Sequence, residues 1–404
     1  MTSPKLTRAG TYIRQPSGYR AFIPAPLPPN PALTWDDTSL NILLEAQTAL
    51  ARLDGITEFL PNPDLLVFMY IRAEAVLSCQ IEGTQASLDD VLQAEANLKN
   101  PDSPSDVQEV INYIAALNHG LERIKTLPIS LRLIREIHST LMQGTRGGQR
   151  DPGEFRRSQN WVGAPGSTLT TAGYVPPPVP DMMTALDNLE KFVHDESSSV
   201  PALVRVGLIH AQFETIHPFL DGNGRLGRLL ITFLFWHYRL LRVPLLYLSY
   251  HFKLNRIEYY DRLQAIRERG DWEGWTRFFL EGVRVVAEES ANRVRAVLNL
   301  READRALIAQ RLGRRAVKAL ALHEHLLRQP YVTVRTVEQI TGQAYSNANG
   351  LVNALVEIGL LEPTDQRERD RLFAYRKYLD LFTLEAADSQ DRTEDDSTQS
   401  TSTP

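Results

Sequence analysis

Between His217 and Arg228 the chain reads HPFLDGNGRLGR, which sets a histidine, a carboxylate, three glycines and two arginines within little more than three helical turns. Packing does not account for that mixture, since an interior glycine costs a helix roughly 1 kcal/mol relative to alanine. The glycines therefore serve something that comes close to the backbone. At a helix start they let main-chain N–H groups reach an anion, and the positive end of the helix dipole favours phosphate there. Arg225 and Arg228 are three apart, share one helical face and can both reach ligand phosphates through forked, charge-assisted hydrogen bonds; on an ordinary surface they would be a solvated pair. Asp221 could hold Mg²⁺, which takes one or two carboxylates together with phosphate oxygens, or could cap the helix that follows. His217 is the one nearby side chain whose ordinary pKa, about 6.5, lets it accept a proton at neutral pH. Beside a phosphate cradle and a metal ligand, a base that deprotonates an attacking hydroxyl completes a phosphoryl- or nucleotidyl-transfer site. Phe219 reads as a core plug that fixes the loop.

Two familiar nucleotide sites are excluded. Gly222, Gly224 and Gly227 satisfy G-x-G-x-x-G, but the dinucleotide fingerprint needs a strand immediately before it, and here a helix and the turn ETIHPFLD precede. There is no G-x-x-x-x-G-K-[ST], so the chain is not a P-loop NTPase.

The elements around the segment are mainly helical. Residues 22–31 (FIPAPLPPNP) form a proline-rich extended entry. Apolar residues recur at helical spacing over 39–53, 64–81, 107–124 and 130–142. Ser87 followed by Asp90 marks a capping box that opens another helix, and residues 100–104 read as a linker. From 147 to 180 glycine, proline, serine and threonine break the periodicity, and 168–175 (TLTTAGYV) is the best strand or hairpin candidate. Helices resume at Asp181. One over 201–216 ends just before His217, one over 224–238 begins just after it, and helical stretches continue to about Leu300. Short helices over 316–327, 334–341 and 346–358, then strand-like runs at 360–363 and 372–375 joined by TDQRERDR, describe a winged helix-turn-helix. Residues 387–404 carry almost no apolar side chains and read as disordered.

Composition sets outer bounds. A chain of 404 residues, 43% hydrophobic and 23% charged, suits a soluble protein of two or three domains. A single cysteine, Cys79, excludes a disulfide framework and agrees with a reducing cytoplasm, the expected location. No signal peptide is expected from MTSPKLTRAGTYIRQ, and no apolar run reaches the roughly 20 residues that span a bilayer. The formal net charge of −5 argues against strong non-specific affinity for nucleic acid, though a local basic face remains open.

The segment HPFLDGNGRLGR matches every specified position of HPFxDGNGRxxR, and on it the chain resembles the Fic (Fido) family of protein adenylyltransferases. The resemblance implies a Fic helical core using Mg-ATP to transfer AMP to a Ser, Thr or Tyr hydroxyl of a target protein or of the protein itself, with release of pyrophosphate. It implies that His217 is the general base and Asp221 the Mg²⁺ ligand, and that Gly222, Asn223, Gly224, Arg225, Leu226, Gly227 and Arg228 bind the ATP phosphates, with Arg228 on the γ-phosphate. Doc-type relatives that phosphorylate carry lysine where this chain has Gly224, which favours AMP transfer. Residues 22–98 resemble the N-terminal domain that accompanies many Fic cores. Residues 160–178 (NWVGAPGSTLTTAGYVPPP) resemble the family's flap, a hairpin that would hold a target peptide by β-augmentation. Residues 248–263 (LSYHFKLNRIEYYDRL) resemble a stretch near the adenosine pocket, with Asn255 the expected ligand and His251 where relatives often have tyrosine.

The resemblance includes a brake. Residues 78–83 (SCQIEG) fit the family's inhibitory pattern [ST]-x-x-x-E-[GN], giving Ser78, Glu82 and Gly83 an inhibitory role. Glu82 falls at the C-terminal end of the 64–81 helix, where the dipole disfavours a negative charge by roughly 0.3–1 kcal/mol. Pairing with Arg228 would compensate it and take away the γ-phosphate's partner; a solvated glutamate beside a glycine cap is the plainer alternative.

The expected architecture is thus mainly all-α: an N-terminal helical domain (1–105), a Fic core with a β-hairpin flap (106–300), a winged helix (301–384) and an acidic disordered tail (385–404). The presumptive recognition helix, SNANGLVNALVEIG, has no lysine or arginine. Asn347, Asn349 and Asn353 could contact bases or could be capping and surface residues, and basic side chains gather in the wing at Arg367, Arg369 and Arg371. Two further functions stay open: a DNA-binding regulator with a nucleotide-sensing core, and removal of AMP by the same site. The resemblance also allows a homodimer.

Overall fold

The computed structural model describes residues 7–58, 63–96, 106–145, 150–164, 166–364 and 371–382. They form two compact units, one within residues 1–60, 70–86 and 104–289, the other within 61–69, 87–103 and 290–404.

The first unit opens with an antiparallel hairpin of β1 (Gly10–Arg14) and β2 (Arg20–Pro24), in which Tyr12 faces Phe22 across the strands. The sequence reading takes only residues 22–31 as extended and misses this pair. Its turn is closed by Gln15 N–H donating to Tyr19 O, around Gly18 at φ +92°. Helix α1 (Asp37–Thr57) starts at Asp36, whose side chain accepts from Ser39 N, and buries Leu43, Ala46, Leu50 and Leu53 at helical spacing. Helix α2 (Pro63–Ile81) belongs to this unit from Tyr70 onward, its start falling in the second, and is followed by Gly83 at φ +98°. The capping box of Ser87 and Asp90 opens α3 (Leu88–Glu95), which belongs to the second unit. The first resumes with α4 (Val107–Arg123), α5 (Leu131–Leu141) and α6 (Val179–Val193).

Helix α7 (Ala202–Ile216) has no exposed face: residues 203–216 are all buried. Helix α8 (Asn223–His237) packs against it and is nearly as buried. Each large apolar side chain removed from water contributes about 1.5–3 kcal/mol, so this helical pair is a rigid platform for the short loop that joins it. Helices α9 (Ser249–Leu254) and α10 (Arg256–Arg269) follow, then α11 (Trp272–Arg311).

The second unit contains the distal part of α11, a 3₁₀ turn (Gly313–Arg315), α12 (Ala316–Leu326), β3 (Tyr331–Thr333), α13 (Val334–Thr341), α14 (Tyr345–Glu357), β4 (Glu362–Pro363), β5 (Leu372–Ala374) and α15 (Arg376–Asp380). Its sheet runs β3-β5-β4, all antiparallel. The two expected wing strands form, shortened because Leu360 and Leu361 turn into the core, and β3 and α15 are additions. The boundary expected between 300 and 301 falls inside α11, which runs unbroken because no glycine or proline interrupts 290–311. Helix α3 also divides from the N-terminal domain in which it was expected. The expected disordered tail, with Arg367 and Arg369, lies outside the described residues.

The expected hairpin at 168–175 does not form among the described residues. Val162 and Tyr174 make one isolated antiparallel bridge, while Thr168 N–H bonds Thr171 Oγ1 and its carbonyl accepts from Thr171 and Ala172 N–H. Threonine hydroxyls there compete for the groups a ladder would need. Among the described residues no helix is long and apolar enough to cross a membrane.

Candidate active site

Ile216 ends α7, and His217 takes the left-handed conformation at φ +49°, ψ 61°. Pro218 disfavours a helical residue before it and cannot extend the helix, so the chain must turn here. A left-handed non-glycine residue costs roughly 1–2 kcal/mol, comparable to what one well-buried side chain of α7 supplies, and several contacts hold it. Arg156 Nε and Asn160 Nδ2 donate to His217 O at 3.0 and 3.2 Å, and Arg156 N–H donates to Pro218 O at 2.9 Å. Burial, then the charges of Arg267 and Arg156, push the His217 imidazole down to about 4. It is neutral at pH 7 and able to take a proton.

Phe219 is the expected plug, fully buried, with its ring stacked on His138 at 3.7 Å between centroids. His138, from α5, is marked by no motif in the sequence. Gly153 N–H donates to its Nδ1, so Nε2 carries the proton and donates to Asp221 O at 3.0 Å. One histidine thereby supports both Phe219 and Asp221.

Asp221 does not cap the helix: its Oδ1 accepts from Gly222 N, and Gly222, left-handed at φ +74°, is the N-cap with no side-chain hydrogen bond. The first N–H groups of α8 are left without a capping side chain. Arg225 and Arg150 lie 3.8 and 3.6 Å from the Asp221 carboxylate. Among the described residues no group of three His, Cys, Asp or Glu could hold a metal, so Asp221 offers one hard oxygen donor; that fits Mg²⁺, which completes its shell with phosphate oxygens and water.

Residues 222–228 divide by role. Gly222 is needed for its left-handed φ of +74°, and a Cβ on Gly224 would meet the Glu82 carboxylate in its present position and lie 3.1 Å from Arg228 Nη1. The Asn223 side chain is not turned to an anion: Oδ1 accepts from Phe219 N and Nδ2 donates to Phe219 O, so only its main chain is available. Leu226 departs from the expectation outright. It is 1% exposed in the core, and its N–H is bound to Gly222 O, so neither reaches a phosphate. Gly227 also departs, since a Cβ there would collide with Glu214 of α7; it permits close helix packing.

The arginines separate too. Arg225 turns to Glu109 of α4 at 3.4 Å and to Asp221. Arg228, 2% exposed, donates from Nε to Ser78 Oγ (2.8 Å) and from Nη2 to Ser78 O (2.9 Å) and Glu82 Oε1 (2.8 Å). Burial would push the Glu82 carboxyl up, but the charge and hydrogen bond of Arg228, helped by Arg225 and His217, hold it below the usual range. Nearby Glu74 and Glu214 are pushed up to about 7 by burial, against the pull of Arg228. Glu82 is therefore the fully charged partner, and its carboxylate sits against the first turn of α8, where an anion would bind.

Asn255 stands elsewhere. Its Nδ2 donates to His251 O and its carbonyl accepts from Tyr259 N, which makes it the joint between α9 and α10. It lines two open clefts of about 710 and 510 Å³, neither of which is lined by any of residues 217–228 among the described residues. In this stretch Tyr259 is buried, its hydroxyl paired with His210 Nε2 at 2.9 Å. The flap is tied down at its base, where Asn160 Nδ2 donates to Phe219 O and Tyr174 packs under the Arg267 guanidinium, 3.8 Å from its ring centre; Trp161 is 43% exposed.

Comparison with known proteins agrees with this geometry. Residues 40–122 match the model of the Fic/DOC family N-terminal domain and residues 128–235 that of the Fic/DOC family. The protein adenylyltransferase Fic of Drosophila virilis is 33% identical over 162 residues, 39% of this chain and 29% of that protein. That of Aedes aegypti is 34% identical over 157 residues, 38% and 27% of the two chains. The chain thus spans less than a third of the length of these curated relatives. The crystal structure of a Fic family protein from Desulfovibrio desulfuricans G20 shares the fold, with a TM-score of 0.55 and 20% identity over 85% of this chain and 97% of that one. The chain carries a Fic/DOC domain, with the family's N-terminal domain ahead of it.

Proposed function

We propose that the protein is a nucleotidyltransferase that moves AMP from Mg-ATP to a protein hydroxyl and is held inactive by Glu82. The observation that carries the proposal is the joint placement of a neutral, strained His217, an uncapped α8 N-terminus and a buried Arg228 already engaged by Glu82. His217 takes the proton of the target hydroxyl, the freed oxygen bonds to the α-phosphorus, and the bond from that phosphorus to the bridging oxygen breaks to release pyrophosphate. The N–H groups of Asn223 and Gly224, with Arg228, hold the phosphates. Asp221 would hold Mg²⁺, which supplies charge neutralisation between phosphate oxygens.

Inhibition follows from a shared partner. The Glu82 carboxylate and the ATP phosphates compete for Arg228 and for the first turn of α8, so displacement of Glu82 must precede productive binding. The flap, through the exposed residues Trp161 and Gly163 on either side of the Val162–Tyr174 bridge, presents the target segment. ATP labelled at the α or γ position, incubated with Glu82→Gly protein and its His217→Ala derivative, tests the reaction. Protein-bound label from the α position alone, lost with His217, is the expected result; γ label would mean kinase chemistry, and no label would reject transfer.

A further inference from the structure

The second unit carries a polar strip that AMP transfer does not use. Helix α14 buries Ala348, Leu351, Val352, Ala354 and Leu355. On its other face Ser346, Asn349, Gly350 and Asn353 are exposed or half-buried, and their spacing of three and four sets them in line. A Cβ on Gly350 would meet nothing within 4 Å, so the middle of the strip is open. The helix has no basic residue of its own, and its acid, Glu357, is confined to the last turn.

Basic groups are delivered to the strip by other elements. Arg371, at the end of the wing, donates Nη2 to Asn349 Oδ1 at 2.8 Å. Arg315, in the 3₁₀ turn before α12, donates Nη1 to Gly350 O at 3.3 Å, and Arg314 beside it is exposed. Each guanidinium has five N–H donors, so these bonds leave most of its fork available. Arg371 also fixes the Asn349 amide: one lone pair of Oδ1 is engaged, while the other lone pair and the Nδ2 donors remain. An asparagine held in that way matches the donor and acceptor pair that adenine shows in the major groove, and flanking arginines match phosphates.

We infer that this face of α14 binds duplex DNA, with Asn349 and Asn353 at base edges and Arg314, Arg315 and Arg371 on the neighbouring phosphates. Charge complementarity favours this occupant over a protein: arginines bonded to Asn349 and Gly350 border a face whose acid is confined to the last turn. Asn347, out of phase with the strip, lies to the side. With only two or three phosphate contacts, log K should fall with log salt at a slope of about −2 to −3.

The test selects duplexes of about 20 base pairs from a randomised pool with the full chain, then titrates the enriched duplex between about 50 and 200 mM salt. Arg315→Ala is expected to weaken all duplexes about tenfold and reduce the slope by about 1, and Asn353→Ala to erase about tenfold preference over a scrambled duplex, with unchanged thermal melting in both. Failure to retain any duplex at the lowest salt overturns the inference. So does unchanged binding by the folded double variant, and α14 is then a protein-facing surface.

Discussion

The loop 217–222 and the segment 160–178 are both irregular, neighbouring in space and rich in helix-breaking residues, yet they are held very differently. Each turn of the loop is fixed from beneath: His217 O by Arg156 and Asn160, Phe219 and Asp221 by His138, and the Phe219 backbone by Asn223. Among the described residues the segment is held at its base, around Asn160 and 174–177, and by the Val162–Tyr174 bridge, with Trp161 exposed beside it. Under the proposed function the difference separates two tasks. Atoms that react must be placed to a fraction of an ångström, whereas an edge that receives varied peptides needs unpaired backbone groups and little else.

That contrast breaks first at His217. His217→Ala should cut adenylyl transfer about a thousandfold in the Glu82→Gly background, with target affinity unchanged; loss of both together would mean the loop also docks the target. Leu226→Ala should lower stability by about 2–5 kcal/mol without a specific loss of ATP affinity, measured by chemical denaturation beside calorimetric ATP binding. Trp161→Ala belongs to the other region and should raise KM for the protein target severalfold while kcat holds; a fall in kcat alone would place the flap in the chemistry.

The smallest effect lies in the pH profile. The imidazole of His217 is its active form, and burial together with Arg267 and Arg156 brings it down to about 4. Single-turnover transfer should therefore stay flat from about pH 6 to 8 and fall only below about pH 5, whereas an unperturbed histidine would put the limb near 6.5. Glu82 pulls the other way, so its removal should move the limb further down.

Much of this framework is legible in the sequence. Ser87 with Asp90, Ser130 and the glycines at 83 and 342 mark helix ends by local hydrogen bonding and left-handed backbone, effects that need only a few residues. The site is legible where its residues adjoin, from His217 to Arg228. What escapes is long-range. No spacing rule reveals that His138 reaches Asp221, that Arg225 turns to Glu109 while Arg228 turns to Ser78, or that Leu226 and Gly227 serve packing. The β1–β2 hairpin escapes for the same reason: Phe22 is held as strand partly by its N–H bond to Val175 O, far along the chain.

The central claim is that one guanidinium, Arg228, is shared between Glu82 and the nucleotide. A double-mutant cycle over Glu82→Gly and Arg228→Ala, read by calorimetric ATP binding and by transfer of α label, addresses it directly. Glu82→Gly alone should tighten productive ATP binding and raise transfer about tenfold or more, and Arg228→Ala should cancel that gain in a protein that still folds. An equal gain from Glu82→Gly with Arg228 removed would contradict the shared partner and place the action of Glu82 elsewhere.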